Sequence, residues 1–222
     1  MMLGDVLVIE TSTESGSVAI ARDGALVAQL AFSSRDPATG VRTEALAPAV
    51  VKCLALASTS ARSLSAVVCG AGPGGFTSLR SAAALAKGLC SARRIPLYAV
   101  SSLEVLAWSA IIPDGNFIAA LHAGRNEWFA VDVTRAGDEL GIGTELLVSD
   151  EDLRARAARI LAPLIGPGLD YDVTPRAAAV ISGLVDVEAR GAVDLDSWEP
   201  AYGRLAEAQV KWEAAHGRPL SL

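Results

Sequence analysis

Two stretches carry the residue types that hold phosphate. Glu10-Thr-Ser-Thr-Glu-Ser-Gly-Ser-Val follows a short apolar run and offers hydroxyls in a small-residue turn, the kind of hairpin whose backbone N–H groups wrap an oxyanion. It lacks the lysine that a P-loop supplies. Gly70-Ala-Gly-Pro-Gly-Gly75 stands between a predicted strand and a predicted helix, so backbone can approach a ligand closely and the first amides of the helix favour an anion. Thr11, Ser12, Thr13, Gly72, Gly74 and Gly75 are therefore the candidate phosphate-loop residues. Each stretch also reads as an ordinary connection, since polar hairpin turns and glycine-rich strand-to-helix loops are common.

Other chemistry finds little footing. His122 and His216 are the only histidines, and neither has a second ligand type three or four residues away, as a zinc site needs. Neither sits in a recognisable Ser–His–Asp arrangement. Asp150, Glu151 and Asp152 read as acids at a helix N-terminus rather than as a catalytic pair. Cys53, Cys69 and Cys90 are odd in number, far apart and without a Cys-x-x-Cys pair, which points to buried free thiols rather than a disulfide framework. No catalytic residue and no metal ligand is assigned.

Positioning these loops takes a series of alternating elements. Val6 to Ile9, Val18 to Ala21 and Leu26 to Phe32 read as three strands, the last two joined by a turn at Asp23-Gly24. A loop over 35–41 leads to a helix from Glu44 to Ala57. Ala66 to Gly70 is a buried strand, Thr77 to Ala92 a helix, and Leu97 to Val100 another strand. Ser101 with Glu104 has the spacing of a capping box, with Val100 and Val105 as its staple, for a helix running to Ile111. After the turn at Pro113-Asp-Gly-Asn116, strands are expected over Phe117 to Leu121, Trp128 to Thr134, Ile142 to Val148 and Ile160 to Ile165. Helices are expected from Ser149, over Thr174 to Leu184, and over Leu205 to His216. This is a mixed α/β chain with lobes over 1–112 and 113–222 and a C-terminal helix, 205–216, free to pack back on the first lobe.

Composition limits the partners. The chain of 222 residues has a net charge of −6, from 19 Lys and Arg against 25 Asp and Glu, and so offers no broad basic surface for nucleic acid. The opening Met1 to Asp5 lacks a basic segment followed by an apolar one, and nowhere do about eighteen apolar residues run together, so a soluble cytoplasmic protein is expected. Mean hydropathy of +0.38 suggests a sticky surface. Between Ser78 and Ser91 only Arg80 and Lys87 are charged, whereas a helix covering one side of a sheet normally turns a polar stripe outward. The helix from Glu44 has the same excess of apolar residues. Together they suggest a docking face, with Glu44, Leu46, Val50, Leu54, Leu79, Arg80, Ala83, Ala84, Leu85 and Gly88 as its candidates; the alternative is that the second lobe buries both helices.

The segments Glu10-Thr-Ser-Thr-Glu-Ser-Gly-Ser-Val-Ala-Ile20, Gly70-Ala-Gly-Pro-Gly-Gly-Phe-Thr-Ser-Leu-Arg80 with Ala86-Lys-Gly-Leu89, Ile95-Pro-Leu and Val100-Ser-Ser-Leu-Glu-Val-Leu106 occur in one order. Together they resemble the bacterial TsaB (YeaZ) family. Weaker similarity continues through Ala123-Gly-Arg-Asn-Glu127 and Pro200-Ala-Tyr-Gly-Arg204, so the likeness covers nearly the whole chain. The resemblance implies a two-lobed α/β fold of the actin, sugar-kinase and Hsp70 type, with mixed sheets flanked by helices and a reduced second lobe. It implies a part in making threonylcarbamoyladenosine in tRNA, as a non-catalytic scaffold that pairs with a TsaD-like catalytic paralogue and helps recruit a TsaE-like ATPase. It also implies a homodimer when alone, contact with tRNA only through the complex, no membrane and no required cofactor. Any ATP binding is expected to be weak or to arise only at the heterodimer interface.

The chain departs from the family pattern in two places. Arg42-Thr43-Glu44 stands where the family often has His-Ser-Glu, and His122 replaces a frequent Asp, which weakens a second, metal-linked phosphate loop. The paired metal histidines of the catalytic paralogue have no counterpart, so protease activity is not expected. The alternative function, from another class, is a stand-alone small ATPase or kinase of the same fold, with Gly166-Pro-Gly-Leu169 as a poor adenosine site.

Overall fold

A computed structural model describes residues 2, 4–33, 35, 38–39 and 45–203. Arg42, Thr43, Glu44 and the helix expected over 205–216 lie outside the described residues.

The chain opens with β1 (Asp5–Glu10), β2 (Ser15–Arg22) and β3 (Ala25–Ser33), a meander of antiparallel pairs. Asp23 and Gly24 have φ of 52° and 81°, both left-handed, which suits the two-residue hairpin turn that follows the strands' own twist. Helix α1 (Leu46–Leu56) leads to β4 (Leu64–Gly70), α2 (Phe76–Arg93), β5 (Leu97–Val100) and α3 (Ser102–Ser109). The first sheet has the order β3-β2-β1-β4-β5, with β4 parallel to both β1 and β5. Next come β6 (Gly115–Gly124), β7 (Glu127–Ala136), β8 (Glu139–Ile142), β9 (Leu146–Ser149), α4 (Asp150–Ile160) and β10 (Leu164–Ile165). They build a second sheet, β10-β6-β7-β8, in which β9 also pairs with β7. A 3₁₀ segment (Ala177–Gly183) and α5 (Leu184–Ala189) follow. Two mixed sheets flanked by helices are the fold class that the sequence led us to expect.

Central strands buried on both sides explain the near-continuous apolar runs. Leu7, Ile9, Val18 and Ile20 point to α1 and α2, where they meet Leu46, Val50, Cys53, Ala82, Ala86 and Cys90. Their neighbours Val6, Val8, Ala19 and Ala21 point the other way, to Ala177, Val180, Leu184 and Val187. Helix α3 serves both halves: Val105 packs on the first sheet, while Leu103 and Leu106 pack on Phe117, Leu121 and Phe129 of the second. Each fully buried Leu or Ile contributes about 1.5–3 kcal/mol relative to exposure.

Four expected elements differ in form. The strand over Ile142–Val148 breaks into β8 and β9 at Gly143, whose N–H bonds the Asp132 carbonyl at 2.9 Å, so each half pairs with a different part of β7. Ile160 ends α4, and Leu161 takes a left-handed cap with φ of 51°, leaving only Leu164–Ile165 as strand. The stretch from Thr174 begins extended, as Pro175 requires of the residue before it, and becomes 3₁₀ from Ala177. Helix α3 stops at Ser109, and Ile111 beyond it is 96% exposed. Ser101 does cap α3, accepting from the Leu103 amide, but Glu104 pairs with Arg190 instead of completing a capping box.

Candidate functional site

The two candidate phosphate loops meet, and they bond to each other. The Gly75 amide donates to the Ser12 carbonyl at 2.8 Å, the Thr11 hydroxyl donates to the Ser78 carbonyl at 3.1 Å, and the Thr13 hydroxyl turns back to the Ser15 carbonyl at 3.0 Å. A Cβ on Gly74 would lie 2.4 Å from the Ser12 carbonyl oxygen. Gly72 has φ of 89°, and a Cβ there would lie 2.3 Å from the Ala201 carbonyl oxygen. These glycines allow backbone to pack on backbone.

Beneath them lies a buried carboxylate. Glu10, at the end of β1, is 1% exposed; one oxygen accepts from the Ser12 amide at 2.6 Å and the other from the Ser102 hydroxyl at 3.0 Å. The Ser102 hydroxyl accepts in turn from the Gly72 amide at 3.2 Å. Burial pushes the Glu10 carboxyl above its ordinary pKa, against the pull of these donors. Gly70 is the counterpart of this arrangement, because a Cβ there would stand 2.1 Å from the second carboxylate oxygen. The only signal for Glu10 in the sequence is a carboxylate closing an apolar strand, which assigns it no role.

The loops form one wall of a cavity of about 440 Å³, shared with His122 and Pro167 from the second half of the chain. Ser12, Thr13, Ser78 and Gly75 face it, as does Glu14, whose charge opposes an anion. The Ser12 hydroxyl is buried without a hydrogen-bond partner among the described residues. His122 Nδ1 accepts from the Gly124 amide at 3.3 Å, and its ring stands edge-on to Trp128, with centroids 5.1 Å apart. Cys53, Cys69 and Cys90 are buried and free, and burial raises the Cys90 thiol to about 11, which keeps it protonated. No cluster of His, Cys, Asp or Glu suited to a metal ion occurs among the described residues.

On the far side of the first sheet, helical register sorts the docking candidates into two groups. Leu46, Val50, Leu54, Leu79 and Ala83 are between 0 and 7% exposed and belong to the chain's own interior, so a partner cannot reach them without unfolding the chain. Arg80, Ala84 and Gly88 face solvent, and Leu85 is half-buried. They continue an outward row that begins at Phe76, each residue four after the last, as one helix face requires. On α1 the matching row is Ala47, Val51 and Ala55, with Val51 68% and Leu56 57% exposed. Phe76, Val51 and Leu56 were absent from the sequence-based set, because the sequence gives two apolar faces per helix and no means of telling which meets the sheet.

The row begins in an aromatic group that spacing could not foresee. Arg80 lies over the Phe76 ring at 5.3 Å from its centroid, and the Tyr202 ring packs on Phe76 with centroids 4.6 Å apart and planes tilted by 47°. Tyr202 arrives on a strap of chain tied to the first half by Val193 N–H to the Leu97 carbonyl, Lys87 Nζ to the Trp198 carbonyl and Ala201 N–H to the Ala71 carbonyl, at 2.8, 2.8 and 2.7 Å.

Comparison with known proteins gives consistent results. The family described as TsaD, tRNA N6-adenosine threonylcarbamoyltransferase, matches residues 38–153. The tRNA threonylcarbamoyladenosine biosynthesis protein TsaB of Escherichia coli is 29% identical over 77% of this chain and 73% of its own length. Its namesake in Bacillus subtilis is 25% identical over 93% and 97%. The solved structure of YeaZ from Pseudomonas aeruginosa superposes with a TM-score of 0.75 at 27% identity, covering 90% of this chain and all of that one.

Proposed function

Because the chain belongs to the TsaB (YeaZ) family, within the wider TsaD family, we propose that it acts in tRNA threonylcarbamoyladenosine biosynthesis as a non-catalytic subunit paired with a TsaD-like paralogue. The observation that carries the pairing is the outward row Phe76, Arg80, Ala84 and Gly88 beside Ala47, Val51 and Ala55. Small residues let a second helix come within about 8 Å of the axis, and exposed Val51 and Leu56 gain from leaving water. The row stands over 1–112, the proposed first lobe, with 113–222 as the second. Its partner would be held in one of its conformations by contacts made only in the pair. A TsaE-like ATPase then joins the composite surface, tRNA is met only through the complex, the cytoplasm is the setting, and a homodimer forms when the partner is absent.

A lack of catalysis by this chain is supported by the loops that bond each other: amides that would circle a phosphate are used on Ser12 and Glu10. One observation favours the alternative of a small ATPase or kinase, namely a cavity of nucleotide size lined by Ser12, Thr13 and Gly75. Calorimetry with Mg-ATP separates the readings. Weak or undetectable binding to the isolated chain, with pairing intact, is the outcome expected; tight binding with turnover would replace the scaffold reading.

A further inference from the structure

Between Glu44 and Glu104 the sequence contains no Asp or Glu, although the chain carries 25 of them. Both α1 and α2 fall inside this interval. Its charged residues are Lys52, Arg62, Arg80, Lys87, Arg93 and Arg94, all basic, and all but half-buried Lys87 are exposed. None forms an ion pair among the described residues: the pairs are Arg22–Asp5, Arg35–Glu14, Arg154–Asp150, Arg156–Asp132 and Arg190–Glu104. Arg93 donates to the Arg62 carbonyl, Lys87 to the Trp198 carbonyl, and Arg80 rests on an aromatic ring. The acids that act on the rim of the face are Asp194, near Lys87, and Glu199, near Tyr202. In a protein of net charge −6, the outward sides of α1 and α2 thus carry only basic charge, from Lys52 and Arg80 among small residues, with Asp194 and Glu199 at the rim.

We propose that this face is built for an acidic helical surface on a protein partner, which it holds more tightly than it holds a second copy of itself. The proposal rests on the pairing reading above and adds the chemistry of the partner. Covering Arg80 with an apolar surface would strip its water with nothing in return, so the partner must bring carboxylates to it. A two-fold contact through the same face sets this basic surface against itself, since the two halves of such an interface are identical. The same charges thus strengthen the heterodimer and weaken the homodimer. Exposed Val51 and Leu56 and the approach allowed at Ala84 and Gly88 favour a protein over a phosphate backbone, which needs neither.

The test uses the full chain and the purified TsaD-like paralogue of the same genome. Heterodimer Kd is expected to rise about tenfold or more between low and half-molar NaCl, while homodimer association by sedimentation tightens over the same range. Arg80→Glu and Lys52→Glu should each weaken the heterodimer about tenfold or more, and Arg80→Met less. Ala84→Trp separates the two claims: loss of pairing in that variant, with salt and the charge variants without effect, overturns the charge proposal and leaves the docking face standing. Pairing untouched by Ala84→Trp removes the docking face and this proposal with it. If the chain alone instead retards tRNA, with Arg80→Glu abolishing that and not the pairing, the face belongs to RNA and the proposal fails.

Discussion

Gly88 offers the sharpest perturbation of the docking face. It lies in the interior of α2, is exposed, and a Cβ built on it meets nothing within 4 Å. For the isolated chain a glycine there is a cost, because Gly is less favourable than Ala in a helix interior by about 0.5–1 kcal/mol. Gly88→Ala should therefore stabilise the monomer by that amount and raise its melting temperature by about 1–4 °C for a chain of this size. Gly88→Leu should leave the monomer folded, since its side chain enters open solvent. In the pair, the larger side chain stands where another helix packs, and overpacking costs about 1–3 kcal/mol, or roughly a fivefold to 150-fold rise in Kd. Thermal denaturation below the homodimer dissociation constant reads the first effect, and calorimetric titration with the TsaD-like partner reads the second. If Gly88→Ala brings no gain in stability, the open helical setting is wrong. If Gly88→Leu pairs with unchanged Kd, the partner does not approach α2 along this row.

The buried carboxylate yields two further expectations. Gly70→Ala forces a methyl into contact with the Glu10 carboxylate, so it should lower stability by about 1–3 kcal/mol or more in urea denaturation, and a double cycle with Glu10→Ala should recover part of the loss; simple additivity would show that the two do not collide. Because the Glu10 carboxyl is raised above its ordinary 4.5, the folded chain holds that proton more tightly than the unfolded one. Its stabilising contribution is complete below about pH 4.5 and is lost as pH rises through the folded value. Glu10→Gln should thus gain on the parent chain as pH rises above about 4.5, and a parallel pH course for the two would mean the carboxyl is not raised. Asp5 and Asp132, held low by Arg22 and Arg156, act in the opposite sense and weaken the fold as pH falls, equally in both chains.

Much of the first half was legible because its signals are local. Apolar runs of strand length, the Asp23-Gly24 turn, and the glycine stop before a long helix each constrain their own few residues. The order of motifs that resembles the TsaB family then carried the fold class. Legibility failed where a distant contact decides. Nothing near Ile142 says that Gly143 will bond Asp132 and split a strand. Nothing near Glu104 says that Arg190 will take its carboxylate. The docking residues failed for a related reason: with apolar residues on two faces of α1 and α2, Leu46 and Val51 look equally fit for a partner until the sheet claims one of them. The opening glycines were legible as sites of close approach, but what approaches is the chain's own Ser12 and Ala201.

Everything proposed for this chain depends on its pairing with a TsaD-like protein through the first half of its length. Light scattering after size exclusion tests it most directly, on this chain of 22.9 kDa alone and mixed with the paralogue from the same genome. Any homodimer present is expected to exchange into a species with the summed mass of the two chains, and Ala84→Trp to prevent this while eluting as a folded protein. Separate elution of the two proteins, at concentrations well above micromolar, would contradict it.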